Sequence, residues 1–260
     1  MLKNTHNDGM NPSWALSGMV IVVSFTLIHF LFECLIRPNA DAVLAGEGTV
    51  AMLNAFVILK DIEQQLCISA AVYCLFLMGY KLIVLVDEEN FYTRDFLASK
   101  SGDSTSDDFN IDAALAVLEG SKYKNNSAIA TWINCLRRYK NTHNVQHASD
   151  AIAASVESLA MQLESGNNMI RYIIWAIPSI GFVGTVRGIG QALAKADEAL
   201  AGNIAGMTSS LGVAFNSTFI ALLISLLLMF LLHILQSRQD QMVINTQRSC
   251  EKNLLARLHQ

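Results

Sequence analysis

The residues of this sequence that are suited to chemistry are hydroxyl side chains on two long apolar segments. Thr185 lies on the first segment, and Ser210, Ser217 and Thr218 lie on the second. Such hydroxyls donate and accept hydrogen bonds but do not titrate near neutral pH. Weak coordination suits an ion that must both bind and leave, so we predict a narrow polar path for an ion. The alternative is interhelical hydrogen bonding without transport, at about 0.6 kcal/mol per bond.

Small residues accompany these hydroxyls at helical spacing. The first segment carries a proline and three glycines: Pro178, Gly181, Gly184 and Gly188. The second carries a stripe with Thr218 at its border: Ser210, Ala214, Ser217, Ala221 and Ser225. Because small residues let helices approach closely in lipid, we predict that the glycines pack the two helices together and that the proline bends the first. A proline within a span also leaves a backbone carbonyl that protein or water must satisfy.

Two further polar residues lie outside these faces, Arg187 on the first segment and Asn216 on the second. An arginine in the middle of a span costs about 3 kcal/mol and is functional by default. Arg187 could bond a neighbouring subunit, extend to lipid headgroups, pair with Asp197 or Glu198, or act directly in the ion path. We predict an intersubunit or partner contact for Arg187 and Asn216.

Four long apolar segments must position these residues. Only 15% of the 260 residues are charged and 52% are hydrophobic. A helix that crosses a bilayer needs about 20 apolar residues, and four segments supply them: 14–36, 66–86, 172–193 and 207–235. The sequence therefore predicts an all-α integral membrane protein with about four transmembrane helices. A helical cytoplasmic segment is expected between the second and third, and a short connection makes the last two an antiparallel hairpin.

With both termini and the segment between the second and third spans inside, 13 lysines and arginines are cytoplasmic and only Arg37, Lys60 and Lys195 are external, which is the orientation that the positive-inside rule favours. We predict five parts: a cytoplasmic arm (1–13), a first transmembrane helix pair with an external connection (14–86), a helical cytoplasmic segment (87–169), an ion-channel helix pair (170–236) and a cytoplasmic C-terminal helix (237–260). In the cytoplasmic segment, Arg137, Arg138 and Lys140 form a small basic cluster, which could grip a rotor or simply be solvated.

Other kinds of chemistry have little support in the sequence. It contains no nucleophile–base set, phosphate-binding loop or metal-ligand spacing, and the five cysteines show no CxxC pattern. We predict no enzymatic activity, no metal, no cofactor and no direct nucleic-acid partner. His29 and Glu33, spaced i,i+4 on the first span, could pair with each other, with a proton relay as the alternative.

Two motifs carry a family resemblance. P-x-x-G-x-x-G-T-x-x-G begins at Pro178, and G-V-A-x-x-[ST]-T begins at Gly212 after a short connection. In this order, in the last helix pair, they resemble the MotA/TolQ/ExbB family over residues 172–236. The four-span layout with a large cytoplasmic segment looks like the MotA branch, whereas the TolQ/ExbB branch has three spans.

The resemblance implies a bacterial inner-membrane protein that forms a pentamer around a dimer of a single-span partner similar to MotB, TolR or ExbD. Protons, or alternatively sodium ions, would pass between the two while the pentamer turns. The family's ion-path threonines match Thr185 and Thr218, with Ser217 beside the latter, and its kink-forming proline matches Pro178. Val213 stands where the TolQ/ExbB branch has a glutamate, so the resemblance implies that the partner supplies the protonatable acid.

Two function hypotheses remain open at this point. The first is an ion-driven motor subunit. The second is a non-conducting tetraspan scaffold, which needs the small-residue faces but has no use for the hydroxyls of Thr185 and Thr218.

Overall fold

The computed structural model describes residues 11–45, 54–89, 111–121 and 126–252. Throughout these ranges the regular structure is helical, without a strand. In chain order the elements are α1 (Trp14–Leu31), a π-helical turn (Phe32–Ile36), α2 (Arg37–Ala45), α3 (Ala55–Leu59), α4 (Ile62–Glu89), α5 (Ile111–Glu119), α6 (Ser127–Thr142), α7 (Val145–Gly166), α8 (Asn168–Leu193), α9 (Ala196–Leu200) and α10 (Ala205–Cys250).

Four helical stretches are long and apolar enough to cross a membrane: Trp14–Ala45, Ile62–Glu89, Val145–Leu193 and Ala205–Cys250. They correspond in order to the four apolar segments of the sequence. The prediction of an all-α membrane protein with about four spans is therefore confirmed.

Two helix boundaries differ from the sequence-based expectation. Helix α4 begins at Ile62 rather than near residue 66, and it carries Glu63, Gln64 and Gln65 into buried positions. Helix α10 continues past residue 236 to Cys250, so the tail expected to form its own helix extends the last span. No glycine or proline follows Gly212 before Cys250, and the sequence thus holds no residue that would interrupt this helix.

The chain divides into two compact units. The first, here the α5–α7 unit, takes in Met1–Asn11, Tyr80–Asn167 and Ile234–Gln260. Its described core consists of large apolar side chains from α5, α6 and α7, among them Leu118, Trp132, Leu136, Ile152 and Val156. The 3.6-residue periodicity of these side chains places each on the inward face of its helix.

Local signals explain where the helices of the α5–α7 unit begin and end. Asn126 caps α6 by accepting from the Ala128 N–H at 3.0 Å, and Asn144 caps α7 by accepting from the Gln146 N–H at 2.8 Å. Between them His143 adopts a left-handed conformation, with φ of 48°, that ends α6. An asparagine N-cap is worth about 1 kcal/mol, so these residues fix the turn between α6 and α7.

Two members of the basic cluster hold α6 to α5. Arg137 donates to Glu119 at 2.7 Å, and the Lys140 ammonium lies 2.6 Å from a carboxylate oxygen of Asp112. Surface ion pairs of this kind contribute about 0–1 kcal/mol each. Within the same unit, burial raises the pKa of the Cys135 thiol to about 12, which keeps it protonated and unreactive at neutral pH.

The second unit, here the membrane unit, comprises Pro12–Gly79 and Asn168–His233. In its first part, Ile28, Phe32 and Ile36 are buried and pack against Ile68 and Val72 of α4. Most of the remaining apolar side chains of α1 are exposed, as lipid-facing side chains are in an isolated chain.

The suggested pairing of His29 with Glu33 is wrong. The Glu33 carboxylate pairs with Arg37, which lies one helical turn further along. The His29 Nδ1 lies 3.0 Å from the Gln65 amide nitrogen on α4. Glu33 has basic residues at both i−4 and i+4, and the permanently charged guanidinium of Arg37 takes the carboxylate.

Candidate functional site

The small-residue faces of α8 and α10 meet directly in the membrane unit. Gly181, Gly184 and Gly188 are buried. A Cβ added at Gly181 would lie 2.5 Å from the Ala221 Cβ, and one at Gly188 would lie 2.7 Å from the Ala214 Cβ. Only glycine fits at these positions, because a methyl group would overlap the facing helix.

This close approach brings Thr185 and Thr218 together. Their hydroxyl oxygens are in direct hydrogen-bonding contact. The Thr185 hydroxyl also lies 3.0 Å from the Ala214 carbonyl oxygen, and the Thr218 hydroxyl lies 3.1 Å from the Gly181 carbonyl oxygen. Two hydroxyls thus share a set of acceptors on both helices, and each proton has alternative acceptors within reach. Both threonines are half-buried, so one side of the pair remains accessible.

Ser217 adjoins this pair, whereas Ser210 does not. The buried Ser217 hydroxyl donates to the Val213 carbonyl at 2.9 Å, and the Gln64 amide nitrogen lies 3.5 Å from it. The Ser210 hydroxyl bonds the Gly206 carbonyl at 3.0 Å and accepts from Lys195 at 3.2 Å. Eight residues separate Ser210 from Thr218, which is about 12 Å along a helix, so Ser210 lies towards the end of the hairpin.

The carbonyl released by Pro178 has a specific partner. A proline at this position cannot donate to the Ile174 carbonyl one turn earlier. The buried Ser225 hydroxyl of α10 donates to that carbonyl at 3.1 Å. The carbonyl that Pro178 leaves without a donor is therefore satisfied by a serine of the small-residue stripe on α10.

Arg187 pairs within the chain, with residues that precede and begin α4. Its guanidinium donates to Glu63 at 2.8 Å and lies 3.9 Å from Asp61. The alternative pairing with Asp197 or Glu198 is wrong for the described structure. Glu63 is a stronger competitor because its side chain is only 6% exposed, and a buried carboxylate needs a partner far more than a solvated one.

Glu63 and Gln64 were not among the residues expected at the site. The span had been placed from residue 66 onwards, because three polar residues precede the apolar run. One signal was available: Glu63 lies one helical turn before Cys67 and three before Cys74, and cysteine is among the residue types most often buried. Glu63 thus continues the inward face of α4.

Asp61, just before α4, has a raised pKa because it is partly buried, although the nearby charges of Lys60 and Arg187 oppose the effect. On α10, Asn216 is half-buried, and its side chain makes no hydrogen bond within the described ranges. Across the residues described, no group of three or more histidine, cysteine, aspartate or glutamate side chains is placed to hold a metal ion.

The fold and this pair of hydroxyl-bearing faces define an all-α multi-pass membrane protein with a polar contact between two spans. Residues 124–248 match the MotA/TolQ/ExbB proton channel family. This segment covers all of α6–α9 and nearly all of α10, and through it the chain is similar to that family. Neither the curated proteins nor the solved structures gave a match.

Proposed function

We propose that the protein is the ion-channel, stator-like subunit of a rotary motor driven by the ion-motive force. The observation that carries this proposal is the contact between the Thr185 and Thr218 hydroxyls across α8 and α10. The match of residues 124–248 to a proton channel family supports the general role. Each charge that crosses the membrane releases about 2.3 kcal/mol per 100 mV, which is the energy available for turning.

The proposed assembly is a pentamer around a dimer of a single-span protein similar to MotB, TolR or ExbD. Hydroxyls do not titrate near neutral pH, so a protonation cycle beside the threonine pair needs a carboxylate, and in the proposed assembly the partner carries one. The proposed location is the bacterial inner membrane, with both termini in the cytoplasm, as the lysine and arginine distribution favours. Protons are the proposed ion, in keeping with the family description, and sodium is the alternative.

A second candidate function is a non-conducting scaffold that assembles an envelope complex. The close packing at Gly181 and Gly188 favours it, because such faces serve helix association without any transport. The exposed apolar side chains of α8 and α10, including Phe182, Phe215 and Phe219, would fit either lipid or neighbouring subunits in both cases.

Native mass spectrometry of the chain co-expressed with its neighbouring gene product tests the assembly. The motor predicts five copies of the chain with two copies of a single-span partner. A monomer, a dimer, or a closed ring without such a partner would contradict the motor.

Replacing both threonines by valine separates the two functions, because valine keeps the shape and removes the hydroxyl. The motor predicts that the Thr185→Val/Thr218→Val variant assembles normally and loses its cellular activity. A scaffold would keep both assembly and activity.

A further inference from the structure

Glu63 is a buried carboxylate beside the hydroxyls of the proposed path. Its Cγ and the Ser217 hydroxyl both lie within 3.0 Å of one point, the position that a side chain at Gly184 would occupy. The missing side chain at Gly184 therefore brings an anionic group of α4 next to the polar stripe of α10. Ser217 in turn precedes Thr218, whose hydroxyl contacts Thr185.

The guanidinium of Arg187, which neutralises Glu63, has a second carboxylate nearby. Arg187 donates to Glu63 at 2.8 Å and lies 3.9 Å from the nearer oxygen of Asp61. The other oxygen of Asp61, Oδ2, is buried and accepts no hydrogen bond from the described residues. Because the Arg187 side chain is 39% exposed, it retains room to move between the two carboxylates.

Gln64 adds an unsatisfied acceptor to the same place. The residue is 1% exposed, and its amide nitrogen donates to the Ile58 carbonyl at 3.0 Å and lies 3.5 Å from the Ser217 hydroxyl. Its amide oxygen is buried and has no hydrogen-bond partner among the described residues. Buried acceptors in native proteins are normally satisfied, so this oxygen indicates a group that the described residues do not supply.

The oxygen atoms around the site suit a cation as that group. The carboxylates of Asp61 and Glu63 both lie near the guanidinium of Arg187. Lys60 is the strongest cationic influence on Asp61, and Arg37, which pairs with Glu33, is a weaker one. Carbonyl and carboxylate oxygens line the cation-selective paths of channels.

We propose that Glu63 is a cation-binding carboxylate of this chain, and that Arg187 is its tethered counter-ion, which moves to Asp61 when a proton or sodium ion takes its place. The inference rests on the proposed ion path. A tethered cation competes with the arriving ion, so binding stays reversible, as conduction requires. Gly184 keeps this site open to Ser217.

Cation binding is measured first on the purified full chain in detergent, as the shift of its melting temperature with Na⁺ concentration at fixed pH and with pH at fixed Na⁺. The wild-type chain is expected to show a shift that Glu63→Gln removes. Glu198→Gln is the matched control, since Glu198 is an exposed carboxylate of the same unit and should leave the shift unchanged. A Na⁺-dependent shift that is lost in Glu63→Gln identifies sodium, and a pH-dependent component that is lost in Glu63→Gln without any Na⁺ dependence identifies the proton. Equal shifts in Glu63→Gln and wild type would overturn the proposal.

A charge exchange then distinguishes ion binding from a purely structural ion pair. In the Glu63→Arg/Arg187→Glu variant the pair can re-form with its partners reversed. We expect a melting temperature close to that of wild type, with ion flux of the partner-containing complex in vesicles lowered about tenfold. Recovery of both melting temperature and flux would contradict the proposal. If the variant fails to fold, Glu63→Asp, which retains the carboxylate, must restore cation-dependent melting that Glu63→Gln lacks.

These measurements keep the two proposals apart. Cation-dependent melting that requires Glu63, in a complex that conducts no ion, would uphold the binding site and contradict the channel. Flux that requires the threonines but is insensitive to Glu63→Gln would uphold the channel and contradict the site.

Discussion

The α5–α7 unit and the α8–α10 contact use opposite means to hold helices together. In the former, large side chains such as Trp132 and Leu136 fill the core. In the latter, the small side chains of glycine, alanine and serine let the two helix backbones approach closely, and hydroxyl groups form hydrogen bonds between the helices. Burial from water stabilises the first by about 25 cal/mol per Å² of apolar surface. No such gain exists between helices in lipid, so the second depends on close packing and hydrogen bonds.

The difference shows where function can be accommodated. A core of large apolar side chains leaves no room for a polar path. A contact between small residues places carbonyls and hydroxyls at the interface, and these groups are the ones that an ion needs. The two regions should therefore respond differently to substitution.

The largest effect is expected in the α5–α7 unit. Leu136 is fully buried, and Leu136→Ala should destabilise this unit by about 3 kcal/mol through lost burial and a cavity. Leu136→Met, which keeps the volume, should cost less than about 1.5 kcal/mol. Denaturant unfolding followed by tryptophan fluorescence measures both, in a Trp14→Phe/Trp175→Phe background in which Trp132 is the one remaining tryptophan. Similar behaviour of the two variants would contradict a tightly packed core.

In the membrane unit the damaging change is an added methyl group. A Cβ at Gly188 would lie 2.8 Å from the Ala214 backbone nitrogen, so Gly188→Ala should destabilise by about 2 kcal/mol. The control is Gly190→Ala on the same helix, where nothing lies within 4 Å. It should stabilise by up to about 1 kcal/mol, because alanine is the better helix former. Melting temperatures in detergent that change in the same direction would refute the close contact.

A smaller effect is expected at the proline. Ser225→Ala leaves the Ile174 carbonyl without its donor and should cost about 1 kcal/mol. In a Pro178→Ala background the alanine N–H can bond that carbonyl, so the same serine substitution should become nearly neutral. A double-mutant cycle measures this coupling, and strictly additive effects would show that the two residues act independently.

The smallest effect concerns pH. Burial raises the pKa of Asp61 above its usual value, with Lys60 and Arg187 opposing. Since the folded state favours the protonated form, this residue contributes stability below its unfolded pKa and loses it as pH rises through the folded pKa. The melting temperature of wild type should therefore fall relative to Asp61→Asn as pH rises through the acid range, and the pH dependence of the difference should vanish at the lowest pH. A difference of opposite slope would contradict the burial of Asp61.

Features set by local periodicity could be predicted from the sequence. The spans follow from apolar length, and the common face of Gly181, Thr185 and Gly188 follows from the helical repeat. The need for a donor to the carbonyl before Pro178 follows from proline chemistry alone, although Ser225 could not be singled out as that donor.

Long-range pairings could not be predicted in this way. Glu63 lies 124 residues before Arg187 in the chain, and no periodicity connects them. Asp197 and Glu198 lie nearer to Arg187 in the sequence, but Arg187 pairs with Glu63 because the Glu63 carboxylate is buried. Competition between two basic residues also explains why His29 does not pair with Glu33: Arg37 forms the stronger ion pair with that carboxylate.

Ion flux into vesicles that contain the complex with its single-span partner tests the central claim most directly. The account predicts that Thr185→Val/Thr218→Val lowers flux about tenfold or more while assembly is retained. Thr26→Val is the control, because the Thr26 hydroxyl bonds only its own helix, at the Val22 carbonyl 2.8 Å away, and it should conduct as wild type does. Undiminished flux in the double valine variant would contradict the assignment of the ion path to this hydroxyl pair.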